Sequence, residues 1–295
     1  MLICILTTSC VVVAAVIFSL RKEIFYLPDK SADDLVDVLA ASGISVDRRL
    51  ISTKKERGYV YVCGSGDYNS SVATLLSSDG IKYSFAVPDG ELIVMSGGAR
   101  FEFGDGFSFR YYKRGKAEEM PDPLRLYDIS SHPSEKKTAE ISKIAAEFMD
   151  RGSDEFKSSD NMSIVTEVGS VWEDSGKYYA LCTRSIDGVE INDNMVLCVI
   201  EDGEVVEAAG RWCFLTLGES YSAQLCDIIN ILFNVKKEIG SESDNVRIES
   251  VALCYSLYTY SDGGDFCLIP CWKVVTDNVG EFIYNALNGT IYTKK

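Results

Sequence analysis

Apolar positions recur along this chain with two different periods, and each change of period predicts an element. Between Ser31 and Gly43 a helical spacing places Leu35, Val38 and Leu39 on one stripe, with Ser31 and Asp34 as a capping box and Gly43 as the stop. A strand follows through Val60, Tyr61 and Val62, then a short helix over Ser70 to Ser78 with Val72, Leu75 and Leu76 on one face. Four strands come next, Ile81 to Val87, Glu91 to Ser96, Ala99 to Phe103 and Phe107 to Lys113, joined by turns at Pro88-Asp89-Gly90, Gly97-Gly98 and Asp105-Gly106. Phe101, Phe103, Phe107, Phe109 and Tyr111 fall at period two, the pattern of a sheet's core face.

Arg114 to Pro133 carries three of the chain's six prolines and its single histidine, His132, and reads as a linker. Beyond it the plan changes to helix then antiparallel meander, twice. Ile141, Ala145 and Phe148 mark the first helix, ahead of strands at Ser163 to Trp172, Tyr178 to Arg184, Met195 to Ile200 and Val205 to Cys213. Leu225, Ile228, Ile229, Leu232 and Phe233 mark the second, ahead of Val246 to Tyr258, Cys267 to Thr276, Glu281 to Asn285 and Thr290 to Thr293. In the last meander Asp277-Asn278 and Asn288-Gly289 supply the turns, and Asn-Gly between apolar runs is a strong hairpin signal.

Composition narrows what such a chain does. With 295 residues, 46% hydrophobic and 25% charged, it is long enough for a sizeable core and about two domains. A net charge of −15 and a pI near 4.6 argue against nucleic acid as a partner, because phosphate binding depends on basic patches.

Met1 to Leu20 hold no charged side chain and as a helix would span about 30 Å, the thickness of a bilayer core. The segment is expected to be an uncleaved membrane anchor over residues 1–22. A cleavable signal peptide is the nearer rival, but no basic stretch precedes the apolar run and no A-x-A site follows it. Cys10 precedes the densest apolar run, the wrong order for lipid attachment. Arg21 and Lys22 flank the span on its C-terminal side, which by the positive-inside rule favours a cytoplasmic domain.

Candidate chemistry is sparse. Cysteines in apolar strands, among them Cys182, Cys198, Cys254 and Cys267, read as buried thiols. Cys267 and Cys271 have a C-x-x-x-C spacing, but in a strand they stand about 13 Å apart, too far for one ion or a disulfide. With one histidine, zinc is not expected, and no cofactor is. A hairpin closed by Ser261 to Asp265 would set Cys254 opposite Cys271, where a disulfide would need an oxidising compartment. Cys63-Gly64-Ser65-Gly66 is similar to a nucleotide loop, but Asn69 stands at the third glycine and no lysine follows. The carboxylate pairs Asp187 with Glu190 and Asp262 with Asp265 lie in turns, and the single histidine, His132, lies in the linker, so no cysteine or serine nucleophile is paired with a histidine base. The chain is expected not to be an enzyme.

Pro270, Trp272 and Val274, followed by Tyr284, Asn285 and Ala286 and by Gly289 in the final hairpin, resemble the P-x-W-x-(I/V) strand and Tyr-x-Asn-Ala turn of the YycH/YycI regulatory proteins of Gram-positive two-component systems. Val251 to Tyr255 is similar to that family's Leu-Gly-Tyr strand, with Cys254 where glycine is usual, and Met195 to Trp212 to its middle strand pair. The likeness is specific over about Ser222 to Tyr292. It implies a membrane-anchored extracytoplasmic protein that binds and tunes a sensor histidine kinase governing the cell wall, with a second related accessory protein as a further implied partner. Small anchor residues such as Ala14 and Ala15 would permit close helix approach to the kinase. PepSY-like endings also suggest an alternative, an inhibitor or binder of an extracellular peptidase. The expected fold is α+β: a transmembrane helix (1–22), a small α+β domain (31–113), a linker (114–133), and a C-terminal domain of two PepSY-like helix-plus-meander repeats (134–216 and 220–295).

Overall fold

A computed structural model describes residues 27–64, 83–86, 92–96, 99–104, 107–113, 126, 131–150, 164–212, 216–240, 245–259 and 266–294. In chain order the elements are α1 (Asp29–Ala40), β1 (Ile44–Val46), a single 3-10 turn (Arg48–Leu50), β2 (Arg57–Gly64), β3 (Tyr83–Ala86), β4 (Leu92–Ser96), β5 (Ala99–Phe103), β6 (Ser108–Lys113), α2 (Glu135–Asp150), β7 (Ile164–Asp174), β8 (Lys177–Ile186), β9 (Val189–Glu201), β10 (Glu204–Arg211), β11 (Thr216–Gln224), α3 (Ile228–Ile239), β12 (Val246–Thr259), β13 (Phe266–Thr276), β14 (Glu281–Asn285) and β15 (Ile291–Lys294).

This overturns the expected α+β class. The described chain is mostly β: fifteen strands form one mixed sheet, accompanied by three α-helices. Helix followed by antiparallel strands does occur after α2 and after α3, but the strands run on into the common sheet instead of closing separate repeats. The expected anchor at 1–22 and the expected helix at Ser70 to Ser78 lie outside the described residues. Among those residues no helix is long and apolar enough to cross a membrane.

The chain forms two compact units that interleave along the sequence. The first comprises residues up to Val60, Tyr221–Cys254 and Ile269–Lys295. Its strands run β15-β14-β13-β12-β1, with β1 parallel to β12. Helix α1 starts at Asp29, directly after Pro28, and not at the expected Ser31 cap; the Ser31 N–H bonds the Pro28 carbonyl at 2.9 Å. Its stripe of Ala32, Leu35 and Leu39 is buried. Helix α3 buries Ile228, Ile231, Leu232, Val235 and Ile239, while Phe233 is 37% exposed and Leu225 precedes the helix. Both helices pack onto Trp272, Val274, Phe282 and Tyr284 in one core.

The second unit, Tyr61–Ser220 with Tyr255–Leu268, is a run of antiparallel hairpins. Ser175-Gly176, Asp187-Gly188 and Asp202-Gly203 join β7 to β10, both residues of each turn at positive φ, the turn form whose twist matches paired strands. β10 also pairs with β6, which brings β3–β6 alongside. Phe101, Phe103, Phe109 and Tyr111 face α2 through Ile141, Ala145, Phe148 and Met149. On the other side Leu126, Trp172, Tyr179, Leu197 and Val199 form a second cluster. Cys254 and Cys271, the pair considered for a disulfide, are both buried thiols.

Gly210 sits in β10 between β9 and β6, with φ of 154°. A Cβ there would overlap the Met195 carbonyl and lie 2.9 Å from Val196 Cα, both backbone atoms that cannot rotate away. Gly210→Ala is therefore expected to destabilise the protein by about 3 kcal/mol or more, measured by urea unfolding.

Candidate functional site

The residues carrying the family resemblance come together, and what they build is a joint. β13 places Pro270, Trp272 and Val274; β14 places Tyr284 and Asn285; the turn after β14 holds Ala286 and Gly289. Registered pairing sets Trp272 opposite Tyr284 and Val274 opposite Phe282, so alternate residues of both strands face α3 and α1. The Trp272 indole Nε1–H donates to the Cys226 carbonyl at 3.0 Å, and the Cys226 N–H donates to the Ala286 carbonyl at 2.6 Å. The Ala286 N–H closes the arrangement on the Pro270 carbonyl at 2.9 Å.

The turn is self-capped. Asn285 Oδ1 accepts from the Leu287 N–H at 2.8 Å, Asn288 Oδ1 accepts from the Thr290 N–H at 3.0 Å, and the Gly289 N–H bonds the Asn285 carbonyl at 2.8 Å. Gly289 has φ of 73°, which favours glycine, and its carbonyl accepts from Asn234 Nδ2 on α3 at 3.0 Å. Gly58 lies against the same joint: a Cβ there would stand 3.0 Å from Leu225 Cδ2 and 3.1 Å from Pro270 Cβ. Sequence reasoning singled out the strand and turn residues and missed Cys226, Asn234 and Gly58. Each acts through its backbone or through a long-range contact that leaves no local pattern.

Tyr284 is 1% exposed, and among the described residues its hydroxyl has no hydrogen-bond partner. Burial, with a smaller contribution from the Glu238 carboxylate, pushes this phenol well above its ordinary range. The phenol therefore keeps its proton at ordinary pH, and its ring packs in the core with Trp272 and Phe282.

The other candidates do not converge. His132 Nδ1 lies 3.2 Å from the Val171 carbonyl, at the edge of β7. Asp187 occupies a hairpin turn at φ of 50°. Cys63 is buried in β2, which ends at Gly64, and burial pushes its thiol up to about 12; Ser65, Gly66 and Asn69 of the glycine-rich loop, with Asp262, Asp265, Ala14 and Ala15, lie outside the described residues. Among the described residues, no group of three or more His, Cys, Asp or Glu side chains is placed to hold a metal ion. One feature had no sequence signal at all: Arg184, 2% exposed, with its guanidinium 5.3 Å from the Trp212 ring.

Two substitutions separate the roles within the joint. Trp272→Phe keeps most of the ring but orphans the Cys226 carbonyl, and is expected to cost about 1–2 kcal/mol; Tyr284→Phe removes an unsatisfied buried hydroxyl, and is expected to be neutral or stabilising by up to about 1 kcal/mol, both read by urea unfolding. A pH series tests Cys63. Its folded pKa is raised, so the unfolded chain releases the thiol proton first, and stability falls as pH rises from about 9 towards about 12. Cys63→Ala should flatten that fall.

No known protein family matches the chain, and no curated protein does. Eleven solved chains show similarity; one is an uncharacterized protein from Eubacterium rectale, 10% identical, with a TM-score of 0.45 over 85% of this chain and 90% of that one. A likeness that loose bears on neither fold nor function.

Proposed function

We propose that the protein is a membrane-tethered accessory protein without catalytic chemistry of its own, which binds a sensor histidine kinase of a cell-wall two-component system and modulates its signalling. The observation that carries this reading is the fate of the motif residues: Trp272, Ala286, Pro270 and Gly289 are taken up in the joint that seats α3 on the sheet, a role in shape and not in chemistry. The apolar run Met1 to Leu20 supports the tether. In this reading the tether packs beside the kinase's own spans, Ala14 and Ala15 admit close approach, and the acidic domain works outside the membrane. Arg21 and Lys22 are the countervailing feature.

Two measurements test it. Alkaline phosphatase and green fluorescent protein, fused separately to the C-terminus in a Gram-positive host, report the side of the membrane: active phosphatase is expected, and a fluorescent, phosphatase-dead fusion would overturn the outward placement. Sensor kinases should co-purify with the full-length chain, and Ala14→Leu with Ala15→Leu should reduce that recovery. Recovery of an extracellular peptidase in an inactive complex, with no kinase, would favour the inhibitor reading instead.

A further inference from the structure

Strand β7 is hydrogen-bonded along its whole length to β8, from Ile164 opposite Ile186 to Asp174 opposite Lys177. A bulge between Val168 and Ser170, with Gly169 as the extra residue, divides its outer edge into two stretches. The far stretch is already occupied. Ser131 bridges antiparallel to Glu173, the Ser131 N–H donating to the Glu173 carbonyl at 3.1 Å and the Glu173 N–H to the Ser131 carbonyl at 2.8 Å, while His132 Nδ1 lies 3.2 Å from the Val171 carbonyl. This half of the edge thus takes an extended segment of the protein's own chain.

The near stretch, Ile164 to Val168, has no strand beside it among the described residues. Backbone groups alternate in direction along a strand, and Glu173 and Val171 face outward. The bulge shifts the alternation by one, so Val168, Thr166 and Ile164 present their N–H and C=O groups outward in the near stretch. Edge strands are guarded by lysine or other charges, by proline or by a bulge. β7 carries the bulge at Gly169, which ends the near stretch, but no lysine or proline: its charged residues are Glu167, Glu173 and Asp174, and Val165 is 44% exposed.

We propose that Ile164 to Val168 is a docking strand that takes an extended, lysine- or arginine-rich segment of a partner protein by strand addition. Main-chain hydrogen bonds extend the kind of pairing seen at Ser131, Val165 offers apolar contact, and Glu167, the one carboxylate of the near stretch, which also accepts from the Ser185 hydroxyl at 2.8 Å, favours a cationic strand. The assignment rests on the reading of this chain as a binding protein, but not on the partner being a kinase.

The test uses the full-length chain in a zwitterionic detergent and a fluorescein-labelled heptapeptide of alternating lysine and valine. Its controls are the same peptide N-methylated at alternate residues and a glutamate–valine counterpart. Removing two or more main-chain bonds should weaken binding at least about tenfold, so both the N-methylated peptide and the Val168→Pro variant are expected to show that loss. The proline sits where the N–H faces outward, so the ladder to β8 is kept, and circular dichroism checks the fold. Equal binding of the N-methylated peptide to the unaltered protein would overturn the proposal even where the variant fails to fold. So would equal binding of the glutamate peptide, or no binding of any peptide. Self-association that Val168→Pro abolishes would assign the edge to a second copy of the chain and likewise overturn it. Kinase co-purification is scored separately, so either reading can fail without the other.

Discussion

The backbone of Cys226 is held on both sides, its N–H by the Ala286 carbonyl and its C=O by the Trp272 indole. This matters because the start of α3 lacks a side-chain cap: Asp227 stands at the N-cap, but its carboxylate accepts no hydrogen bond from the helix N–H groups. The position of the helix is instead set one residue earlier, by bonds to β13 and to the turn after β14. Once α3 is seated there, its apolar stripe covers Trp272, Phe282 and Tyr284, and α1 completes the same core. Burial of such aromatics contributes roughly 1.5–3 kcal/mol each, but their alignment depends on the clamp.

That arrangement bears on function by subtraction. Pro270, Trp272, Ala286 and Gly289 are the most distinctive residues of the chain, and each is committed to holding the joint. On the proposed reading, a partner is met elsewhere, on surfaces whose residues have less distinctive patterns. Strand edges are such surfaces, since they offer main-chain groups whatever the side chains are. The acidity of the chain adds a preference about charge without naming a partner.

Much of the local structure was legible in the sequence. Asn288-Gly289 marks a turn because glycine there adopts positive φ, and Phe101, Phe103, Phe109 and Tyr111 alternate because one face of their strands is buried. Strand partnership was not legible. β2 pairs with β13, β1 with β12, and β12 touches β9 in parallel, all between residues far apart in sequence and with no local signature. That is why a plan of separate α+β and repeat domains gave way to one mixed sheet. β11 escaped notice altogether, since Gly218, Ser220 and Ser222 provide no apolar alternation. Of the joint, the half made by side chains could be read ahead, while the half made by the Cys226 backbone could not.

If the motif residues serve the fold by clamping Cys226, amide hydrogen exchange at that residue registers it. If the clamp organises the first unit, the Cys226 N–H exchanges only through unfolding of that unit, at the same free energy as the buried amides of α3. Exchange at the rate of an exposed loop, with α3 still protected, would mean that the clamp does not hold the unit together.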